Sequence, residues 1–240
     1  MRSYLVFLLL FALKLVCRAF FRVRLDWLKD EPDPWSNLRV LALLNHTSLF
    51  EPVFVAAAPN RLLWQLAAHG VLPVANKTME RPLVGRFFRL VARHVIPITR
   101  ERDDTWELVL DRIHDPKALI VILPEGRMMR PTGLDLHGNP MTVRGGIADL
   151  FGAVKSGKLF LGHSHGLHHI HAPGDRFPKL FQRVTLACET IDIPEYRAAL
   201  IAEAGEEHFK RAVIEDLTRR RDECCPRPPV VSPPTAPASG

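Results

Sequence analysis

The chain is poor in cysteine. Four occur in 240 residues and only Cys224 and Cys225 are adjacent, which excludes a disulfide-framework miniprotein. Extremes of composition are missing too. Hydrophobic residues make up 47% and charged residues 24%, close to the globular average, which excludes a disordered acidic tail, a coiled coil and a multi-span membrane protein. No internal repeat is present. The basic balance comes without an aromatic-basic platform or any recognised nucleic-acid motif, so no nucleic-acid partner is expected. The length fits a single domain.

Charge is present but unevenly placed. The net charge is +6, and residues 1–30 hold six basic side chains (Arg2, Lys14, Arg18, Arg22, Arg24, Lys29) against Asp26 and Asp30. These surround the most hydrophobic stretch, residues 4–16, YLVFLLLFALKLV. A membrane-spanning helix needs about 20 apolar residues, and this run is shorter. No small-x-small cleavage site follows it; CRAFFRVR does. The segment reads as an interfacial helix or a short tilted anchor, with Lys and Arg reaching lipid headgroups and Leu and Phe entering the acyl boundary. A buried N-terminal helix of a soluble fold would not need the basic rim. Basic residues of this kind favour the cytoplasmic face.

After a turn-rich linker at residues 30–34, short apolar runs alternate with longer amphipathic ones. Strands are expected over residues 38–44, 95–99, 118–123, 158–162 and 183–188, and helices over 52–58, 82–92, 105–113 and 145–155. A charged helix over 196–221 closes the domain, and Arg219–Arg221 reads as its solvated end. This alternation predicts an α/β fold: a mixed, largely parallel sheet flanked by helices, with functional groups at strand ends. The expected organisation is a membrane-associating helix and basic rim (1–30), a folded domain (31–222) and a Pro-rich disordered tail (223–240).

A polar cluster, NHTSLFEP, follows the strand that ends at Leu44. His46 with Glu51 five residues on can form a general base and its orienting carboxylate, leaving Nε2 to take a proton from a hydroxyl. Ser48-x-x-Glu51 also fits a helix capping box, in which neither residue does chemistry. Pro52 suits the first helical position and pushes Glu51 into an extended conformation, which favours the first reading. Spacing alone leaves both open.

The cluster resembles motif I of the glycerolipid (lysophospholipid, PlsC-type) acyltransferase family, N-H-x-S-x-x-D. Asn45, His46 and Ser48 match, and Glu51 stands where the family has Asp. Residues 75–100 are similar to the family's second block through Lys77, Pro82, Gly85 and Arg100. Leu123-Pro124-Glu125-Gly126-Arg127 resembles its third block, F-P-E-G-T-R, without the Thr. A fourth block of Val-Pro-x-x-Pro type is not visible; Lys158–Gly162 and His163-Ser-His165 occupy that region. Three blocks in order over residues 38–165 make the resemblance specific.

The resemblance implies acyl transfer from an acyl thioester, acyl-CoA or acyl carrier protein, to a lipid hydroxyl, by default turning 1-acyl-sn-glycerol-3-phosphate into phosphatidate. His46 would be the base and Glu51 its partner. Asn45, Ser48, Lys77, Arg100, Glu125, Gly126 and Arg127 would bind substrate, with Arg100 and Arg127 gripping a phosphate. No metal or redox cofactor is implied. A non-phosphate lipid acceptor, or a lipid-binding protein on the same fold without turnover, are the alternatives.

Five histidines fall within residues 163–171, HSHGLHHIH. They could be metal ligands or a polar face with satisfied hydrogen bonds, and the absence of a carboxylate or Cys at ligand spacing favours the latter. Cys224-Cys225 reads as a pair of exposed, reduced thiols.

Overall fold

The computed structural model describes residues 1–99, 104–172 and 174–225. In chain order these form α1 (Arg2–Phe20), β1 (Arg22–Trp27), β2 (Leu38–Leu44), a 3-10 helix (Glu51–Ala56), α2 (Asn60–His69), β3 (Gly70–Ala75), α3 (Asn76–Met79), α4 (Pro82–Val91), β4 (His94–Ile98), α5 (Asp104–Ile113) and β5 (Leu119–Ile122). Then follow α6 (Gly146–Ala153), β6 (Lys158–Ser164), β7 (Arg183–Asp192), α7 (Ile193–Ala204), a 3-10 turn (Glu206–His208) and α8 (Phe209–Cys224).

The strands make one seven-stranded sheet in the order β1-β7-β6-β2-β5-β3-β4. The five strands from β6 to β4 are mutually parallel, β7 runs antiparallel to β6, and β1 is parallel to β7. Parallel strands are buried on both faces, so they read as continuous apolar runs rather than alternating ones. β2 is the central case: LRVLALL is buried at every position but Leu41. Val40, Ala42 and Leu44 face a core closed by α5, α6, α7 and α8, while Leu43 faces one closed by α1, α2 and the first 3-10 helix. Even Arg39 is buried, donating to the carbonyls of Ile113, Asp115 and Ala118 where α5 turns into β5.

The expected mixed, largely parallel sheet is present, with differences in detail. β1, β3 and α2 were not expected. β1 reads as part of the basic rim because Arg22 and Arg24 leave no apolar run, yet it pairs residue for residue with β7. The single expected closing helix is two, since Gly205 at φ 85 leaves the right-handed region and ends α7. The helix expected over 52–58 is a single short 3-10 helix over Glu51–Ala56, with Pro52 its second residue, so Glu51 belongs to the helix rather than to an extended segment before it. The expected Pro-rich tail over 223–240 begins later than expected, since Glu223 and Cys224 are the last residues of α8; residues 226–240 and Arg100 lie outside the described residues.

α1 lies along the domain. Val6, Leu10, Lys14 and Cys17 share one face and are buried against α2, α4 and the 3-10 helix. Lys14, expected to reach lipid headgroups, instead donates to the Ala58 carbonyl (2.7 Å) and Asn60 Oδ1 (2.8 Å). The opposite face, with Leu5, Leu8, Leu15 and Val16, is exposed. Among the described residues α1 alone is long and apolar enough to cross a membrane.

Candidate active site

In a parallel sheet, neighbouring strands deliver the loops after their carboxyl ends to the same edge. β2 lies between β5 and β6, so the turn after Leu44 meets the turn after Ile122 and the end of β6. Four side-chain hydrogen bonds fasten them. Asn45 sits at φ 66, a left-handed conformation that Asn tolerates better than most residues, and its Nδ2 donates to the Ser164 carbonyl at 2.8 Å. The backbone N–H groups of Asn45 and His46 donate to the two carboxylate oxygens of Glu125, at 2.9 and 2.7 Å. Thr47 Oγ1 accepts the N–H of Leu167, 2.7 Å away.

Within the turn, Glu51 Oε1 lies 2.8 Å from His46 Nδ1 and also accepts the N–H of Thr47 (3.2 Å) and Ser48 (3.0 Å). Both readings of the spacing therefore hold a part of the truth: Glu51 closes the local turn and orients the imidazole at once. A carboxylate at Nδ1 fixes the proton there and leaves the Nε2 lone pair for chemistry. Among the described residues Nε2 has no hydrogen-bond partner. Burial works against a charged His46, but the carboxylates of Glu51 and, further off, Glu125 outweigh it, so the imidazole pKa is raised. Glu125 is pushed the other way from an ordinary carboxylate: burial raises its pKa against the pull of the His46 and Asn45 N–H groups and the Arg221 charge.

The structure brings together Asn45, His46, Ser48, Glu51, Glu125 and Gly126. Gly126 turns at φ 61, which a side chain would strain. Glu125 is 1% exposed and lies beneath the His46 turn, holding backbone rather than facing a ligand. Ser48 Oγ accepts the N–H of Phe50 and lies 3.3 Å from His171 Nδ1. Arg127 Nη1 is ion-paired with Asp135, while its Nε is buried without a partner among the described residues. Asp135 is held well below the usual carboxylate range by the N–H groups of Asn139 and His137 and by Arg127. Lys77 is exposed on α3, just past the carboxyl end of β3.

Sequence reasoning missed the role of α8. Arg220 and Arg221 turn inward rather than forming a solvated end. Arg220 bonds both oxygens of Glu189 (2.8 and 2.9 Å) and Asp216 (2.7 Å). Arg221 donates to the Met141 carbonyl and stands 3.8 Å from Glu125, its counter-charge. A run of three arginines carries no signal of which ones face the core. Thr47 and His171 were also missed.

The histidines go to separate places, and not all are satisfied: His165 packs its ring edge-on against His169, and the Nδ1 atoms of His163 and His165 are buried without a hydrogen-bond partner among the described residues. Nε2 of buried His163 lies 3.2 Å from Glu189 Oε1; His168 and His169 meet the carbonyls of Met129 and Arg183. Among the described residues no three of His, Cys, Asp or Glu converge as metal ligands. Cys224 and Cys225 are half-buried rather than exposed, and burial pushes the Cys225 thiol up to about 12. All four cysteines are free.

No family profile and no curated protein matches the sequence. Among solved structures, it is similar to the 1-acyl-sn-glycerophosphate (LPA) acyltransferase PlsC from Thermotoga maritima. The TM-score is 0.56 at 15% identity, over 89% of this chain and 78% of that one. The chain thus has a PlsC-like acyltransferase fold.

Proposed function

We propose that the protein is a membrane-associated acyltransferase that moves a fatty acyl group from an acyl thioester, acyl-CoA or acyl carrier protein, to a lysophospholipid hydroxyl at the cytoplasmic face. The default acceptor is 1-acyl-sn-glycerol-3-phosphate and the product phosphatidate. The observation that carries this reading is the 2.8 Å contact between His46 and Glu51 with Nε2 left open. His46 Nε2 takes the acceptor's hydroxyl proton as the oxygen attacks the thioester carbonyl. Glu51 stabilises the imidazolium that forms. The tetrahedral intermediate then expels the thiolate, which recovers the proton from His46. A protein kept only for binding lipid would have no need of the oriented pair.

One observation favours a second acceptor class. Arg127, a residue that would grip a phosphate, already faces Asp135, which leaves room for a neutral or amino lipid. Incubating the purified chain with labelled acyl thioesters and a panel of lysolipids, with products identified by mass spectrometry, tests both. Acylation of lysophosphatidate supports the default, acylation of a non-phosphate lipid the alternative, and no product with any acceptor defeats the assignment.

A further inference from the structure

The crossover between β6 and β7 has two halves with different neighbours. The first half holds the His46 turn, through Leu167 on Thr47 and His171 beside Ser48. In the second half, residues 174–182, Phe177 is 72% and Phe181 69% exposed, and Leu180 is exposed beside them. Three large apolar side chains within five residues, all turned to solvent, are unfavourable for a surface that meets only water. Phe181 also sits at φ 62, a conformation that bulky residues rarely adopt. Its N–H donates to the Phe20 carbonyl at 2.6 Å and its ring lies 5.8 Å from that of Phe20. The backbone thus holds the ring outward at the end of α1.

That position puts Phe181 against Phe20, on α1 one turn past exposed Val16 and its exposed neighbour Leu15. Arg18 and Arg22 flank Phe20 in the chain, Arg176, Lys179 and Arg183 flank Phe177 and Phe181, and all five are exposed. The one acid within the loop, Asp175, accepts the N–H of Ala172. An apolar surface with a cationic rim matches a bilayer containing anionic lipid, whose acyl boundary takes the rings and whose phosphates take the charges.

We infer that residues 174–182 are a second membrane-contact element: Phe177, Leu180 and Phe181 enter the bilayer beside α1, and Arg176 and Lys179 meet anionic headgroups. This deepens the proposed function and rests on its lipid acceptor, because the same crossover holds the catalytic turn. Ring contacts join the two: Phe50 lies 5.3 Å from Phe21 and 6.1 Å from His171. The bilayer would then meet the protein next to His46.

The test measures sedimentation of the full chain with phosphatidylcholine vesicles, with and without phosphatidylglycerol. Phe177→Ser with Phe181→Asn, the latter chosen to suit the left-handed backbone, should weaken binding to the anionic vesicles about tenfold or more. The melting temperature should not change. Wild-type binding by that variant overturns the proposal. So does a wild-type dimer that the variant loses, which would make the patch a self-association face. If the double variant does not fold, Phe177→Trp decides: its added emission should shift to the blue on vesicles and be quenched by brominated lipid, and an unshifted emission overturns the inference. Binding is read without turnover. A silent lysolipid panel with intact loop-dependent binding would therefore defeat the reaction and spare the loop, and active turnover with loop-independent binding would do the reverse.

Discussion

Glu125 accepts the backbone N–H of His46 at 2.7 Å and that of Asn45 at 2.9 Å, so a carboxylate from one strand end holds the backbone of the next. Two donors need two acceptors. In Glu125→Gln one amide N–H₂ would face a backbone N–H, leaving donor against donor at a cost of about 1–3 kcal/mol for the unsatisfied pair. Removing a buried charge offsets part of this. The expected outcome is a fall in kcat larger than any rise in KM, with a modest drop in melting temperature. Because the Glu125 charge helps to raise the His46 pKa, the acid limb of activity should also move to lower pH. A variant with unchanged kcat and unchanged limb would reduce Glu125 to a purely structural part.

The His46–Glu51 pair makes a second prediction. His46→Ala should lower kcat by about a hundred- to ten-thousandfold, the usual contribution of a positioned base. Its circular dichroism should be unchanged, since the ring lies in a turn. Glu51→Asp keeps the charge but draws it back by one methylene, and should retain more activity than Glu51→Gln, which loses the charge. Equal kcat for Glu51→Gln and wild type would remove the orienting role.

The pH profile follows from the direction of the His46 shift. A general base works only when neutral, and neutral His46 disappears as pH falls through its pKa. Two nearby carboxylates raise that pKa above the ordinary histidine value of about 6.5, so activity should rise with pH and its acid limb should have its midpoint above that value. In Glu51→Gln the main opposing charge is gone and burial dominates, so the limb should move to lower pH. A profile of kcat/KM against pH for both proteins checks the sign. A limb that does not move would place the titration elsewhere.

How much of this was legible in the sequence depended on whether the determinant was local. β2, β5 and β6 were legible because buried parallel strands are continuous apolar runs, and the His46–Glu51 pair because both residues lie in one turn. β1 was illegible: RVRLDW alternates charge with apolar residues and becomes a strand only by pairing with β7, more than 150 residues on. The clamp by Glu125 and the inward turn of Arg220 and Arg221 depend on contacts across the fold. Lys14 was misread for the same reason, since its partners Ala58 and Asn60 are remote in sequence.

Lys14 therefore supplies a prediction that separates its two roles. If its ammonium serves the fold, Lys14→Met leaves the Ala58 carbonyl and Asn60 Oδ1 without their donor in a buried setting. Stability should fall by about 1–3 kcal/mol, read as a lower melting temperature. Vesicle binding should be unchanged or stronger, because the exposed face of α1 is untouched. Weakened binding at unchanged stability would return Lys14 to the membrane.

Arg127 and Asp135 bear on the acceptor. The Asp135 carboxylate competes with any substrate phosphate for the Arg127 guanidinium, and its strongly lowered pKa keeps it charged throughout the working range. Asp135→Asn loses the charge and should free Arg127. If the acceptor carries a phosphate, this variant should lower KM for lysophosphatidate. Arg127→Gln should raise that KM while leaving a neutral acceptor unaffected, since only a charged ligand loses a bidentate partner. Steady-state kinetics with the two acceptor types reads the difference. Equal effects of Arg127→Gln on charged and neutral acceptors would mean that Arg127 holds the loop around Asp135 instead of the substrate, and the acceptor phosphate would have to find its cation elsewhere along the same sheet edge.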